Sequence, residues 1–590
     1  MAFETIPQRV LGNAARLGSA PAYYVRGEAG WEATSWQTYA AEVRRAGAAL
    51  TALGVQPGEP VCILGANRPE WVIFDVGAMA AGAIPAGIYT TSSPGECAYI
   101  LNHSEAPVLL VENEAQWQKI ASVRGELPHL RHVVMMRSGG AVDDPMVIAW
   151  DDFLGRADGI EGNLDDRMAA LRADTVSTLI YTSGTTGRPK GVMLTQDNLA
   201  WTAGQACDLV GASDKERVLS YLPLSHIAEQ MFTIHIAAVS GYPVYYAESL
   251  EKLLPNMLEV KPTMFFGVPR VWEKFHAGVL EKLSENHGPK AKLIERATAV
   301  GAHVTKRRAG GLGASFTDVA QFKMFDKLVY SKVKEGLGLG ESRMCVSGAA
   351  PIAPEVLEFF AGLAMPIYEV YGQSEDSGPT SFNVAGRTKF GTVGPPFPGV
   401  EVKIASDGEI IVRGRNVFAG YFKDPEATAE TMSDGWLHTG DLGEFDADGF
   451  LSITGRKKDI IITAGGKNVA PKLLEGGIRT HPLVSEAVVI GDRRKFLSAL
   501  VSLDSEAVGR FMKERDLSGP PEQSEAIRAE IQQAVDEVNA EMARVEQIKR
   551  FTILPRELSI AEGELTPTLK VKRNVVTTHF EAEIEEMYSD

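Results

Sequence analysis

The sequence is poor in cysteine and carries no excess of positive charge. Its four cysteines, spread over 590 residues, form no CxxC pair and no Cys/His cluster at zinc spacing, which argues against a disulfide-rich secreted domain and a zinc module. A reducing, cytoplasmic compartment is therefore expected. Lys plus Arg number 59 against 76 Asp plus Glu, a formal net charge of −17, so nucleic acid is not an expected partner.

Long hydrophobic runs are also scarce. Uncharged stretches approach the length of a membrane span only at 76–95 and 230–247. The first is diluted by alanine and glycine and the second is broken by a Gly-Tyr-Pro sequence, so both are predicted to be buried core. At the N-terminus Glu4 and Arg9 come before any apolar run, and no secretory signal is expected.

The order of local patterns predicts an α/β protein with a smaller C-terminal part. Apolar runs such as PVCILGANRP and IPAGIYT alternate with helix-like segments, as is typical of parallel α/β layers. From about Ile404 the pattern changes to short strand-like pieces joined by glycine turns. Segment 524–550 then carries one apolar stripe, which predicts a helix packed on a small C-terminal sheet.

One region, 273–335, departs from the overall charge. It holds twelve basic and seven acidic residues, a balance of +5, with an apolar stripe that includes Phe322, Phe325 and Val329 at helical spacing. The simpler interpretation is a solvated helical insertion. The alternative is a patch that meets anionic lipid headgroups or an anionic cofactor, which would give a peripheral contact with the inner membrane surface.

The most informative stretch is an apolar strand that runs into a loop rich in Gly, Ser and Thr, YTSGTTGRPKG. Its candidate phosphate-binding residues are Thr182, Ser183, Gly184, Thr185, Thr186, Gly187 and Lys190. Glycines expose backbone N–H groups, hydroxyls can donate to phosphate oxygens, and the lysine adds positive charge. The loop is not a GxxxxGK[ST] P-loop, because Gly191 rather than Ser or Thr follows Lys190.

Further motifs follow this loop in a fixed order. They are SGAAP (347–351), YGQSE (371–375), WLHTGD (436–441), GRKKD (455–459), GGKNVAP (465–471) and TPTLK (566–570). With them, nearly the whole chain resembles the AMP-forming acyl and aryl ligases, which include acyl-CoA synthetases, luciferases and the adenylation domains of peptide synthetases. The sequence departs from the family's YGxTE motif by having Ser374 in place of threonine.

The resemblance implies ATP and CoA as substrates and Mg²⁺ as the metal. The residues that it implies for the nucleotide, besides the phosphate loop, are Gly348, Ala349, Tyr371, Gly372, Gln373, Ser374, Asp441 and Arg456. A tyrosine face suits purine stacking, a carboxylate can accept both ribose hydroxyls, and an arginine adds a charge-assisted donor. Thr182 and Glu375 are the implied metal residues, and a carboxylate is a hard oxygen ligand suited to Mg²⁺.

Lys570, Glu375 and His226 are the candidate catalytic residues. Joining a carboxylate to the α-phosphate of ATP brings two anions together, so a mobile positive charge is needed between them. The TPTLK context selects Lys570 over Lys572 for that role by resemblance, and the same resemblance places His226 near the acyl carboxylate. It further implies a C-terminal domain that swings about Lys458 between two half-reactions.

The implied fold is a large N-terminal domain, 1–455, of two α/β-layered sheets plus a distorted β-barrel, followed by a small mobile α+β domain, 456–590. Segments YLPLSHIAEQ and FFGVPRVWEKF resemble the long-chain and bubblegum-type acyl-CoA synthetases, which makes a long fatty acid the expected substrate. Two alternatives stay open: a fatty acyl-AMP ligase that delivers to a carrier protein, and a non-enzymatic regulator that has kept the fold. The oligomeric state is left open.

Overall fold

The computed structural model describes residues 3–182, 188–464, 467–540, 542–544, 546–566 and 570–589. The strands are β1 (Pro21–Gly27), β2 (Gly30–Ser35), β3 (Pro60–Leu64), β4 (Ile84–Ile88), β5 (Val108–Val111), β6 (His132–Met135), β7 (Val147–Ala149), β8 (Val176–Thr182), β9 (Lys190–Thr195), β10 (Val218–Ser220), β11 (Val244–Tyr246), β12 (Met264–Gly267), β13 (Met344–Ser347), β14 (Ile367–Tyr371), β15 (Ser381–Phe382), β16 (Glu401–Ile404), β17 (Glu409–Arg413), β18 (Gly420–Tyr421), β19 (Met432–Ser433), β20 (Trp436–Phe445), β21 (Leu451–Arg456), β22 (Ile461–Ile462), β23 (Asn468–Val469), β24 (Val484–Ile490), β25 (Leu497–Leu503) and β26 (Ile548–Ile553).

The helices lie between these strands. They are α1 (Ile6–Leu17), α2 (Trp36–Ala52), α3 (Pro69–Ala80), α4 (Pro94–Ser104), α5 (Glu114–Ser122), α6 (Trp150–Gly155), α7 (Glu161–Ala169), α8 (Gln196–Val210), α9 (Ile227–Gln230), α10 (Ile236–Ser240), α11 (Leu253–Val260), α12 (Pro269–Ser284), α13 (Pro289–Ala309), α14 (Phe316–Phe325), α15 (Ser331–Gly336), α16 (Pro354–Gly362), α17 (Pro425–Thr431), α18 (Pro471–Arg479), α19 (Ser505–Glu514), α20 (Glu525–Ala540), α21 (Arg573–His579) and α22 (Glu581–Tyr588). A π-helical turn, Met231–His235, joins α9 to α10.

Two α/β layers form the large N-terminal part, as predicted. The first is an eight-stranded sheet with the order β18-β9-β8-β4-β3-β5-β6-β7, parallel from β8 through β7. Its central strands β3 and β4 are buried at every residue, which explains their continuous apolar sequence. The second is the sheet β12-β13-β14-β15, in which β12, β13 and β14 run parallel.

The β-rich segment predicted from Ile404 onward is confirmed. Strands β16, β17, β20, β19 and β21 form one antiparallel sheet, and β10, β11, β1 and β2 form a further small sheet. Strand β21 runs through Arg456, which pairs with Asp441 of β20. The strand that carries the GRKKD motif therefore belongs to the same sheet as the WLHTGD motif.

The C-terminal part is a three-stranded sheet, β24-β25-β26, covered by helices. Ile527, Ile531 and Val535 of α20 are buried against it, as the apolar stripe predicted. The predicted helix over 524–550 is too long, because α20 ends at Ala540. The Asn539 side chain closes the turn there, since its amide group donates to the Ile548 carbonyl at 2.9 Å and its oxygen accepts from the Ile548 N–H at 2.8 Å.

The positively charged region 273–335 is helical and only partly buried. Phe325 and Val329 pack against α13 in a small core, whereas Leu312 is 58% and Phe316 89% exposed. Both uncharged stretches of the sequence form strands and helices within the cores. Among the described residues no helix has the length and apolarity that a membrane span requires, and all four cysteines are buried and unpaired with one another.

Candidate functional site

A single large cleft, about 2990 Å³ in volume, collects most of the motifs. It lies at the carboxyl ends of β8, β13 and β14, beside β20 and β21, and is closed on another side by the C-terminal part of the chain. Because the carboxyl ends of parallel strands meet at one edge of a sheet, motifs far apart in sequence come together here. Clefts between two structural units are frequent ligand sites.

The SGAAP segment forms the turn that leaves β13. A Cβ on Gly348 would lie 2.7 Å from Cγ1 of Val370, so only glycine fits against the neighbouring strand. Ala349 has a φ of 68°, which is uncommon for a residue with a side chain. The Ser347 hydroxyl is buried without a hydrogen-bond partner in the described part of the chain. Ala349 lines the cleft, and this turn brings its backbone to the cleft surface.

The YGQSE segment is a tight turn after β14. A Cβ on Gly372 would lie 1.5 Å from the Gly378 carbonyl oxygen, so the turn requires glycine. The Gln373 backbone N–H donates to Oδ1 of Asp376 at 2.8 Å. Asp376 is fully buried, and this burial raises its pKa to about 8. Gln373 and Ser374 line the cleft beside this carboxyl, which holds the turn in place.

Asp441 and Arg456 face each other across the β20–β21 pair. Nε of Arg456 lies 3.4 Å from Oδ1 of Asp441, and the Tyr371 hydroxyl donates to Oδ2 at 2.8 Å. Burial raises the pKa of the Asp441 carboxyl, and the guanidinium of Arg456 partly offsets that rise. Tyr371, Asp441 and Arg456 thus form one hydrogen-bonded group on the cleft wall.

Glu375 is held from the opposite side by a residue that the sequence did not single out. The Tyr421 hydroxyl donates to Oε1 of Glu375 at 2.8 Å, and Nζ of Lys190 lies 4.9 Å from the centre of the Tyr421 ring. Thr182 and Lys190 are register partners at the ends of β8 and β9, and both line the cleft. The remaining predicted loop residues, Ser183 to Gly187, lie outside the described residues.

Lys570 reaches the cleft from a hairpin in the C-terminal part. The Thr566 N–H donates to the Lys570 carbonyl at 2.7 Å, and the Lys570 N–H donates to Oγ1 of Thr566 at 3.0 Å. The hairpin closes where the Lys572 N–H donates to the Glu564 carbonyl at 2.7 Å. The three residues between Thr566 and Lys570 lie outside the described chain.

Glu564 is the anchor of this hairpin. Its buried carboxylate accepts from Nη1 and Nη2 of Arg556 at 2.7 and 2.6 Å, from the Ser559 N–H at 3.0 Å and from Nδ1 of His579 at 3.0 Å. Burial alone would raise the pKa of this carboxyl, but the hydrogen bonds, from Arg556 above all, outweigh it and lower the pKa to about 2. The Glu564 charge therefore stabilises the base of the hairpin.

Lys570 is exposed, and its ammonium group stands among charged residues of both parts of the chain. Enclosure by protein lowers its pKa, the neighbouring Arg456 lowers it further, and Asp441 and Glu375 act in the opposite direction. A cation held close to another cation, with two carboxylates nearby, is an arrangement that attracts a polyanion.

His226 also lies at the cleft, at the start of α9. Its Nδ1 accepts from the Ala228 N–H at 3.2 Å, so the proton of the neutral ring is on Nε2. Burial first, and the Lys570 charge second, lower the pKa of His226 to about 3. At neutral pH the His226 ring is therefore uncharged, and its Nε2–H can donate a hydrogen bond.

An apolar channel opens from the same cleft and runs along the strands of the second sheet. One wall is the face of that sheet, and the other is formed by α8 and the π-helical turn with α10. The residues that define the channel are Ala206, Val210, Met231, Phe232, Ile236, Met264, Phe266, Met344 and Val346. Alternate strand residues point into it because successive side chains of a strand face opposite sides, and the intervening Phe265 and Cys345 pack in the helical core behind.

Sequence reasoning missed several residues of the cleft. Tyr421 is 46 positions from Glu375, and only the pairing of β18 with β9 brings it there. Glu369 lines the cleft, where burial raises its pKa to about 8. Lys457, next to Arg456, pairs with Asp407 at 2.6 Å and with Glu409 at 2.8 Å. Tyr421 and Glu369 lie in none of the motifs, whereas Lys457 stands within GRKKD, although no role was expected for it.

Comparisons with known proteins identify the family of the chain. Residues 12–422 match the family model described as AMP-binding enzyme, and residues 458–590 match AMP-binding enzyme C-terminal domain. The chain is 40% identical over 573 residues to the long-chain-fatty-acid–CoA ligase FadD15 of Mycobacterium tuberculosis, covering 95% of this chain and 93% of the relative. It is 36% identical to human long-chain-fatty-acid–CoA ligase ACSBG2, covering 99% of this chain and 92% of the relative.

The fold has solved counterparts as well. The adenylation domain of a carboxylic acid reductase from Segniliparus rugosus, solved with AMP and a co-purified carboxylic acid, superimposes with a TM-score of 0.76 at 20% identity, covering 100% of this chain and 94% of that one. The chain therefore belongs to the AMP-binding enzyme family, and the resemblance and fold class inferred from its motifs are confirmed.

We predict that Glu564→Gln lowers the thermal unfolding midpoint at pH 7. The carboxyl pKa falls from an ordinary 4.5 to about 2 on folding, so its stabilisation is present above pH 4.5 and is lost as the pH falls toward 2. The difference in midpoint between wild type and variant should shrink across that window when measured by scanning calorimetry. Glu562→Gln, a change at an exposed position, is the control; a pH-independent difference for Glu564→Gln would contradict the assignment.

Proposed function

We propose that the protein is an AMP-forming long-chain fatty acid–CoA ligase. The observation that carries this proposal is the convergence of Lys570, Asp441, Arg456 and Glu375 on one cleft that continues into an apolar channel. In the first step a fatty acid carboxylate attacks the α-phosphate of ATP, which gives acyl-AMP and pyrophosphate. In the second the CoA thiol attacks the acyl carbon, which gives acyl-CoA and releases AMP.

The nucleotide is assigned to the polar half of the cleft. Asp441 has one oxygen bound by Tyr371 and the other near Arg456, so its carboxylate is oriented to accept from ribose hydroxyls. The Gly348–Ala349 turn and the Gly372–Gln373 turn expose backbone at the same wall, where the purine would lie.

Mg²⁺ fits the residues beside the phosphate loop. No group of three or more His, Cys, Asp or Glu side chains able to hold a metal exists among the described residues, so an all-protein metal site is not expected there. Mg²⁺ instead is commonly held by one or two protein oxygens, nucleotide phosphates and water. Glu375, oriented by Tyr421, and Thr182 are the residues we assign to it. The bound metal would neutralise phosphate charge during the attack.

Lys570 is assigned as the cation that brings the two anions together. Its ammonium group is presented by a hairpin rather than by a rigid strand or helix, and it reaches the Asp441–Arg456 side of the cleft. A preorganised charge of this kind typically lowers the barrier by about 3 to 4 kcal/mol. We assign His226, a neutral Nε2–H donor, to the carboxylate of the acid.

The acyl chain is assigned to the apolar channel. Burial of a methylene contributes about 0.8 kcal/mol, so a channel lined by methionine, phenylalanine and aliphatic side chains favours a long acid over acetate by several kcal/mol. The curated relatives named above carry long-chain names, which supports the same substrate class.

A moving C-terminal domain, from about residue 456, would let one cleft serve both steps. Among the described residues, the ion pairs that link it to the N-terminal part include Arg479 with Glu273 at 2.8 Å, Arg270 with Asp504 at 3.3 Å and Lys572 with Glu96 at 4.0 Å, and each of these side chains is partly exposed. Lys458, between the two parts, is exposed. We propose it as the hinge, so that Lys570 leaves the cleft before CoA enters.

The proposal is tested by incubating the protein with palmitate, Mg²⁺ and ATP, with and without CoA. We expect pyrophosphate release and, only when CoA is present, palmitoyl-CoA and AMP detected by mass spectrometry. Acyl-AMP that accumulates and ignores CoA would favour a carrier-protein ligase instead. No turnover of short, aryl or long acids would favour a non-enzymatic regulator.

Measuring the two half-reactions separately tests the role of Lys570. We predict that Lys570→Ala lowers acyl-AMP formation by two to three decades, because the cation is needed only for the first step. The same variant should still convert supplied acyl-AMP to acyl-CoA at a rate near wild type. Lys572→Ala, which removes a neighbouring lysine, is the matched control. An equal loss of both half-reactions in Lys570→Ala would contradict the two-state assignment.

We also propose that region 273–335 makes a peripheral contact with anionic membrane surfaces. Eleven large apolar side chains are exposed among the described residues, and six of them lie in this region: Leu280, Leu293, Leu312, Phe316, Met324 and Leu328. The region carries a charge balance of +5 within a chain of −17. Exposed apolar groups interleaved with lysine and arginine suit the interface of an anionic bilayer.

Cosedimentation with lipid vesicles tests this contact. We predict that binding rises when phosphatidylglycerol is added to phosphatidylcholine vesicles and falls with added salt. Phe316→Ser should weaken binding, because this side chain is 89% exposed, whereas Leu258→Ser, 43% exposed outside the region, should not. Binding that ignores both the anionic lipid fraction and the salt would contradict the proposal.

A further inference from the structure

The apolar channel ends at a definite place in the fold. Met264 and Met344 are the first residues of β12 and β13 and are register partners, while Val210 is the last residue of α8. All three line the channel. The carboxyl ends of the same strands carry the polar half of the cleft. The part of the channel that follows these strands therefore extends about 10 Å, over three residue steps, away from their carboxyl ends.

One charged side chain stands against this end of the channel. Nη2 of Arg343 lies 3.4 Å from Sδ of Met264, and Nη1 donates to the Val210 carbonyl at 2.8 Å. Nη2 also lies 3.4 Å from the carbonyl oxygen of Gly211, the residue that ends α8 in the left-handed conformation. The guanidinium thus bridges the sheet wall and the helix wall at the point where both walls end.

Glu216 holds the arginine in that position. Its Oε1 accepts from Nε of Arg343 at 3.0 Å and lies 2.8 Å from Nη2. Its Oε2 accepts from the Thr263 hydroxyl at 2.6 Å. The Glu216 side chain is only 7% exposed, whereas that of Arg343 is 40% exposed and borders solvent. A buried carboxylate with both oxygens bonded fixes the outer arginine as a lid over the channel end.

A hydrocarbon terminus that reached this lid would have to displace a hydrogen-bonded guanidinium and leave a buried carboxylate unpaired. Both changes are unfavourable, whereas each methylene accommodated before the lid increases affinity about fourfold. The preference for longer acids should therefore rise with length and then stop abruptly. We propose that Arg343, held by Glu216, is the stop that sets the upper limit of acyl chain length. This inference rests on the proposed fatty acid substrate.

Acyl-AMP formation over a series of saturated acids from octanoate to tetracosanoate tests the stop. The double variant Arg343→Ala/Glu216→Gln removes the lid without leaving a buried charge. We expect its upper limit to move to longer acids, with kcat/KM relative to octanoate raised on the order of tenfold for an acid two carbons beyond the wild-type limit. Val210→Phe, which narrows the same end, should move the limit to shorter acids.

Arg217→Ala is the matched control. Arg217 is a nearby arginine that pairs with Glu341 and donates to the Val260 carbonyl, and it contacts none of the residues that line the channel end. The ratio to octanoate within each variant removes any general loss of folded protein. An unchanged limit in the double variant, or the same shift in Arg217→Ala, overturns the inference. Those outcomes overturn only the role of Arg343. If instead the wild type activates no acid of any length, it is the proposed function that fails.

Discussion

Repulsion between cations is the constraint on which the cleft depends. Arg456 lies close enough to Lys570 to lower the pKa of its ammonium group, and Lys472 adds to the effect. Two interactions stabilise this arrangement: the Glu564 anchor of the Lys570 hairpin, outside the cleft, and the Asp441 partner of Arg456, on the cleft wall. A bound triphosphate would relieve the repulsion, because its negative charge would offset that of the clustered cations. In the proposed cycle, the same repulsion would favour departure of Lys570 once pyrophosphate has left.

The chain next to the proposed hinge residue, Lys458, is also held by charged groups. Lys457 is tied to Asp407 and Glu409, and Glu409 is shared with His438, whose Nδ1 lies 2.8 Å from the same carboxylate oxygen. These contacts attach Lys457, the residue before Lys458, to the sheet that contains β17 and β20. The neighbouring Lys458 has an exposed side chain. If Lys458 is the hinge, as we propose, the two carboxylates that hold Lys457 would confine rotation to a short stretch of chain.

The sequence was sufficient for the fold class and for the residues that contribute to the cleft through local motifs. Gly372 lies in a tight turn, Lys570 in a hairpin and Asp441 in strand β20, each within a short motif that a linear pattern identifies. Tyr421 and Glu564 could not be found in this way, because one acts through strand pairing and the other through a carboxylate network at the base of a hairpin. The helix over 524–550 was predicted too long because its stop is a side-chain contact between Asn539 and Ile548 rather than a glycine or proline.

The second sheet borders both the apolar channel and the polar half of the cleft. Its strands present Phe266 and Val346 to the channel on one face and bury Phe265 and Cys345 against helices on the other, so the channel wall is as rigid as the core behind it. At the carboxyl ends of its strands, the Gly348–Ala349 and Gly372–Gln373 turns border the polar half of the cleft, to which we assign the nucleotide. A shift of this sheet would therefore disturb the acyl and nucleotide sites together. The proposed stop at Arg343 lies at the opposite ends of these strands, so chain-length selection there could vary independently of catalysis.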